Sequence, residues 1–254
     1  MPEHLMALDL GTTGVRALVV HAGGRVLARS WRPLGVRTPS PGELEQDPDE
    51  MWDRSVEVLR EALAGSKLSA TDLGGIGVVN QRSTAMAWTS DEGKALCPAL
   101  GWQDVRTADR VAELVAMGIG VNTLASCTKF EWLVRNEPAV GAALRAQNLR
   151  FGTPDSWLTE KLTSGRAFVT EPGNAACTGL IDPVSLEWSP GIMGLFGLDP
   201  GCFPRLVSTA EVVGQTSADL LGSPVPVAAR AGDQQAACFA QSVHRPGQSK
   251  LTLG

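Results

Sequence analysis

The chain has 254 residues, 43% of them hydrophobic and 19% charged, a globular composition large enough for one big domain or two small ones. A net charge of −5 without a basic face argues against a nucleic-acid binder. No apolar run approaches the roughly 20 residues that cross a bilayer, and the N-terminus lacks the basic start and apolar core of a signal peptide, so a cytoplasmic protein is expected.

In chain order, Leu5 to Leu8, Leu18 to Val20 and Arg25 to Ala28 are apolar runs separated by glycine-bearing turns. This pattern predicts a three-stranded meander over residues 4–32. A proline-bearing loop follows from Pro33 to Gln46. Asp47-Pro48-Asp49-Glu50 then reads as a helix start, with Asp as N-cap, Pro at the first helical position and acids in the first turn. Trp52, Val56, Leu59 and Leu63 recur at helical spacing, and Gly65 is the predicted stop. Strands are predicted at 76–79 and 85–88, the second turning at Asp91-Glu92-Gly93. Further helices are expected at 107–117, with Ala108, Val111, Ala112 and Val115 inward, then at 128–134 and 138–146, and from Pro154 to near Gly165. Residues 166–215 have weak periodicity. Residues 224–228 form a predicted strand leading to Gly232-Asp233, residues 234–241 a helix, and residues 250–253 a last strand. Mixed strands and helices of this kind define an α/β chain.

The most informative stretch is Asp9 to Ala17, DLGTTGVRA, at the end of the first predicted strand. Gly11 and Gly14 let backbone N–H groups approach an anion, and Thr12 and Thr13 add hydroxyl donors. Asp9 at the strand end suits Mg²⁺, usually through water. Such a turn fits the polyphosphate of a nucleotide; the alternative is a plain hairpin with an exposed acid. The chain carries neither a G-x-x-x-x-G-K-[ST] loop nor a G-x-G-x-x-G fingerprint. Cys97, Cys127, Cys177, Cys202 and Cys238 are dispersed and odd in number, and His4, His21 and His244 have no metal spacing. Neither a disulfide framework nor a zinc site is expected. Tyrosine is absent, which removes one common proton donor.

DLGTTGVRA, NQRST at 80–84, GWQDVRTAD at 101–109, GTPDSWLTEKLTSG at 152–165, the stretch from Asn174 to Leu180, and AGDQQAACFAQ at 231–241 together resemble the FGGY carbohydrate kinases, most closely the glycerol kinase branch. The resemblance spans nearly the whole chain in order. It implies an actin-like ATPase (ribonuclease H-like) domain with a mixed sheet and flanking helices, binding ATP and Mg²⁺ and phosphorylating a polyol or sugar. Residues 1–254 would be the N-terminal domain, with Gly254 opening a second phosphate turn and the adenosine-binding segments in a C-terminal domain outside this chain. Such a piece alone is expected to turn over poorly. A small-molecule acceptor is the expected partner, with no nucleic acid and no membrane, and a homodimer stays open.

The resemblance also assigns roles. Asp233 matches the general base, Asp9 the Mg²⁺-linked carboxylate, and Gly11, Thr12 and Thr13 the phosphate turn. Arg16 would meet phosphate or pair with an acid. Arg82, Ser83, Trp102 and Gln234 fall at acceptor-binding positions: a guanidinium fork suits vicinal hydroxyls, and an indole suits the carbon face of a polyol. Local alternatives remain: a helix N-cap for Asp233, the plain start of that helix for Gln234, a surface ion pair for Arg82 and core packing for Trp102. Asp104 and Arg106 read as structural. Ser83 stands where glycerol kinases have Glu, and Leu124 where they have Tyr, so glycerol would lose two polar partners. A larger polyol or a ketose, as taken by xylulokinase, ribulokinase or gluconokinase, stays open. Two other readings are a non-catalytic sugar sensor and an actin-like ATPase. Asp9 and Asp233 together count against the first, and Arg82 and Trp102 against the second.

Overall fold

In the computed structural model, which describes residues 3–252, the expected meander forms β1 (His4–Leu10), β2 (Gly14–His21) and β3 (Val26–Pro33). Met6, Leu8 and Leu10 on β1 and Val15, Ala17 and Val19 on β2 are buried in alternation, the period of a sheet covered on one face. β4 (Glu45–Gln46) leads into α1 (Pro48–Ser66), where the Asp47 side chain accepts from the Asp49 N–H at 2.9 Å. The helix runs past Gly65 and ends where Lys67 turns left-handed, at φ 61°. Its buried row is Met51, Ser55, Val58, Leu59, Ala62 and Leu63, so Trp52 and Val56 lie at the margin of the predicted stripe, half-buried against the core.

After α1 come β5 (Leu73–Asn80), β6 (Met86–Trp88) and β7 (Ala99–Leu100). The helices α2 (Ala108–Ala116), α3 (Cys127–Asn136) and α4 (Pro138–Arg145) follow, then β8 (Arg150–Gly152) and α5 (Pro154–Leu162). The weakly periodic stretch holds short elements: β9 (Val169–Thr170), α6 (Pro172–Thr178), α7 (Pro190–Leu195), β10 (Arg205–Leu206) and β11 (Gly214–Gln215). The described chain closes with α8 (Ala218–Leu221), β12 (Pro226–Gly232) and α9 (Asp233–Ala240).

Two expectations are corrected. On α2 only Leu114 is buried; Ala108, Ala112 and Val115 are exposed. The helix presents Arg110 to Glu131 of α3 instead (Nε to Oε2, 2.9 Å), which turns the predicted apolar row outward. Lys250 to Thr252 form no strand; Lys250 Nζ and Thr252 Oγ1 donate to Gln234 Oε1 at 2.5 and 3.2 Å. Leu253 and Gly254 lie outside the described residues.

The main sheet has the order β11-β12-β5-β1-β2-β3. β1 and β12 flank β5 in parallel, and the outer pairings are antiparallel. One core lies under this sheet, filled by α1 and α5. A second is built from residues 85–203 around Phe130, Phe151 and Phe203, whose rings meet at 5.0–5.6 Å. The segment joining the two cores carries Arg82 and Ser83.

Between α5, α6 and β12 lies a buried polar cluster. Asp155 accepts from Thr153 Oγ1 at 2.5 Å and Thr170 Oγ1 at 2.7 Å. Arg230, fully buried on β12, donates to the carbonyls of Ser208 and Glu211 at 3.2 and 2.7 Å. Desolvation pushes the Asp155 carboxyl up to about 6 from 3.8, against the two threonine hydrogen bonds. A raised folded value means that the folded state holds the proton more tightly. The contribution is therefore complete below about pH 4 and is lost as pH rises through about 6, by on the order of 3 kcal/mol. Urea midpoints across pH 4–7 are expected to fall more steeply with rising pH for the native chain than for Asp155→Asn. Parallel curves would contradict this account of Asp155.

Candidate active site

Three parallel strands end level with one another. Leu10 of β1 and Gly232 of β12 both pair with Asn80 of β5. Asp9, Arg82 and Asp233 therefore come to one edge of the sheet, although 224 positions separate the first from the last. At about 4.8 Å per strand, β1 and β12 are about 10 Å apart. The Asn80 and Asn174 amides exchange hydrogen bonds at 2.9 and 3.1 Å, which docks α6 against this edge. Glu171 caps α6 by accepting from the Gly173 and Asn174 N–H groups at 2.7 and 2.6 Å.

Thr12, Arg82, Ser83, Trp102, Leu124, Asp233 and Gln234 line one cavity of about 180 Å³. Arg82 Nε donates to Asp233 Oδ1 at 3.2 Å, and the Gln234 N–H donates to the same oxygen at 2.7 Å. Gly232 is the N-cap of α9, so Asp233 is its first helical residue and not the cap. A Cβ on Gly232 would stand 2.6 Å from Arg82 Cδ, so any larger residue there would displace the Arg82 side chain from its present path to Asp233. Ser83 is buried in the left-handed region at φ 63°, where its carbonyl accepts from Ser126 Oγ at 3.1 Å.

The turn after β1 is closed by a Gly11 N–H to Gly14 carbonyl hydrogen bond of 3.0 Å. A Cβ on Gly14 would lie 2.5 Å from Trp31 Nε1 and 2.6 Å from the Arg32 carbonyl, so this turn accepts glycine alone. Thr12 faces the cavity, whereas the Thr13 side chain is exposed and its carbonyl accepts from the Leu34 N–H at 3.1 Å. Asp9 and Arg16 are cross-strand partners 4.0 Å apart. Desolvation raises the Asp9 carboxyl above its usual range, Arg16 opposes this, and the Asp233 charge adds to the rise. Each acid has its own arginine, but neither is buried; their side chains are 35% and 43% exposed. Among the described residues no cluster of three His, Cys, Asp or Glu side chains forms a ready metal cage. Asp9 at the end of β1, beside a glycine turn and part-exposed, fits a magnesium ion that brings most of its ligands as water and phosphate.

Gly254, expected at a second phosphate turn, lies outside the described residues. Asp104 and Arg106 sit apart from the cavity. Asp104 accepts from the Leu44 N–H at 2.7 Å, and Arg106 pairs with Asp104 and Glu45 at 2.9 Å each, the structural use expected of them. Sequence reasoning missed Cys177, whose Sγ accepts from Arg82 Nη1 at 3.7 Å. Desolvation raises this thiol, against the opposing charge of Arg82. It also missed Gln46, Gln81 and Lys129, which support the cavity from behind. Nothing in the local pattern marks these residues, because their partners are distant in the chain.

The mixed sheet with its parallel centre and flanking helices is that of the actin-like ATPase fold, as its likeness to solved structures shows. The crystal structure of glycerol kinase from Plasmodium falciparum with ADP superposes at a TM-score of 0.88, with 24% identity over 94% of this chain and 50% of that one. The xylulose kinase from Rhodospirillum rubrum gives 0.86, with 30% identity over 96% and 52%. The model of the FGGY family of carbohydrate kinases, N-terminal domain, matches residues 4–240, and the chain belongs to that family. The glycerol kinase of Aromatoleum aromaticum is 39% identical over 99% of this chain and 53% of its own length. Glycerol kinase 1 of Pseudomonas aeruginosa is 38% identical over 100% and 53%. The chain thus spans about half the length of the curated relatives it matches. Among the described residues no helix is long and apolar enough to cross a membrane.

The left-handed backbone at Ser83 costs a side-chain-bearing residue about 1–2 kcal/mol. Ser83→Gly is expected to unfold at higher urea than Ser83→Ala, by the equivalent of about 1 kcal/mol. Equal midpoints would show that residue 83 is not held in that conformation.

Proposed function

We propose that the protein transfers the γ-phosphoryl group of ATP to a hydroxyl of a polyol or small sugar. The observation that carries this reading is the single cavity shared by Thr12, Arg82, Ser83, Trp102, Asp233 and Gln234. Phosphoryl transfer of this kind rests on positioning and charge stabilisation, and the residues divide accordingly. Asp233 is the general base. Its Oδ1 is engaged by Arg82 and the Gln234 N–H, which leaves Oδ2 to accept the proton of the attacking hydroxyl. Arg82 and Gln234 bind acceptor hydroxyls, and the Trp102 ring covers the carbon face. Gly11, Thr12 and Thr13 form the phosphate turn, and Arg16 offsets phosphate charge. Asp9 would hold Mg²⁺, which when bound neutralises charge on the transferred group.

The adenosine side of the nucleotide belongs, in this proposal, to a second domain, in keeping with relatives about twice as long as the matched region. The cytoplasm is the proposed compartment, where the five free cysteines would stay reduced. Ser83 and Leu124 favour a second substrate reading. Both line the cavity, and neither supplies the carboxylate or phenol that would grip glycerol. A larger polyol or a pentulose brings contacts of its own, and one neighbour at 30% identity is a xylulose kinase.

The test is a coupled ADP-release assay of the full-length protein with glycerol, erythritol, xylitol, xylulose, ribulose and gluconate. ADP release that depends on one of these acceptors is expected, and Asp233→Asn is expected to lower kcat by about 10²–10⁴. Turnover retained in the Asn variant would reject Asp233 as the base. Release independent of any acceptor would favour an ATPase.

A further inference from the structure

We propose that Trp102, besides walling the acceptor cavity, orients the Thr12 hydroxyl as a donor toward the transferred phosphoryl group. The acceptor wall and the phosphate turn then act as one unit. The inference rests on the kinase reading above and adds a positioning role to it.

Trp102 Nε1 lies 2.8 Å from Thr12 Oγ1. An indole N–H can only donate, and a threonine hydroxyl has one proton and two lone pairs. In this contact Thr12 must therefore accept, and its single proton is left for another partner. Thr12 shares the cavity with Asp233, so the spare proton is at the place where a phosphoryl oxygen would meet the attacking hydroxyl. A hydrogen bond from this hydroxyl to an anionic oxygen is stronger than a neutral one.

Both ends of the contact are anchored. The Thr12 carbonyl accepts from Gln46 Nε2 at 2.9 Å, and Gln46 Oε1 accepts from Gln81 Nε2 at 2.7 Å. Gln46 and Gln81 are buried, and the Gln81 N–H donates to the Leu10 carbonyl at 2.8 Å. On the other side, the Trp102 carbonyl accepts from Nζ of Lys129 at 3.3 Å. Lys129 is fully buried. The preceding Gly101 N–H donates to the Leu44 carbonyl at 2.9 Å. The backbone of neither partner can shift without breaking a part-buried hydrogen bond. Removing the indole N–H would free the Thr12 hydroxyl to rotate while leaving the wall almost intact.

Trp102→Phe keeps a smaller aromatic wall and removes the donor. In the full-length enzyme, with the acceptor found by the ADP-release screen, it is expected to lower kcat at saturating acceptor roughly tenfold or more, in addition to any rise in acceptor KM from the smaller ring. Thr12→Val is expected to cost as much, Thr12→Ser to restore kcat, and the Trp102→Phe/Thr12→Val double variant to be no worse than Thr12→Val alone. A Trp102→Phe effect confined to KM, or additive losses in the double variant, would overturn the proposal. An arm independent of turnover is the Trp102 indole ¹H–¹⁵N resonance, which should move upfield in Thr12→Val and stay in place in Thr12→Ser. An unchanged resonance in Thr12→Val would overturn the proposal whatever the kinetics. Absence of turnover with every acceptor would instead reject the kinase reading and leave the resonance to decide whether the contact exists.

Discussion

The parallel pairing of β5 with β1 on one side and β12 on the other is the constraint on which the rest depends. Parallel neighbours bring their carboxyl ends to the same edge, and here the register makes those ends level at Leu10, Asn80 and Gly232. Open α/β sheets bind ligands at such edges because the loops there converge while the sheet holds them rigidly. Each polar residue that lines the cavity directly after a strand lies within three positions of one of these ends. A slip of one residue in β12 would carry the start of α9, and Asp233 with it, about 3.3 Å along the strand and out of level with Arg82, and the buried Arg230 and its two carbonyl partners oppose that slip.

Charge at the edge is balanced loosely. Asp9 faces Arg16 and Asp233 faces Arg82, and all four side chains are at least one-third exposed. Exposed pairs of this kind contribute at most about 1 kcal/mol. They therefore hold each acid near its working position yet can be opened by an incoming hydroxyl or phosphate at little cost. The tight interactions lie one layer behind, in the reciprocal Asn80–Asn174 pair, the Gln81–Gln46–Thr12 relay and the Arg106–Asp104–Glu45 group. Rigidity is thus placed in buried neutral or fully paired groups, and exchangeability in the half-exposed ions.

Features written in short-range periodicity were legible in the sequence. The three-stranded meander, the Asp47 cap of α1, and the strand leading to Asp233 each depend on neighbours within a few positions. The DLGTTG turn was legible as well, because Gly11 closes it and Gly14 faces Trp31 at a distance no side chain tolerates. What local pattern could not settle was decided by distant partners. The outward turn of α2 follows from Arg110 reaching Glu131, and the lack of a strand at 250–252 goes with Lys250 and Thr252 binding Gln234. Cys177 joins the site through a contact spanning 95 positions, and Gln46 meets Gln81 across 35. α5 is buried on every side and mixes Asp155, Thr159 and Glu160 with Trp157 and Leu158, so its inward face had no periodic signature.

A crystal structure of the full-length protein with MgADP and its acceptor tests the central claim most directly. Convergence of the strand ends on one reaction centre predicts an acceptor hydroxyl about 2.6–3.2 Å from the Asp233 carboxylate, with the nucleotide phosphates against the turn at Gly11 to Gly14. An acceptor bound elsewhere, with Asp233 beyond hydrogen-bond reach of any hydroxyl and still closed on Arg82, would contradict it.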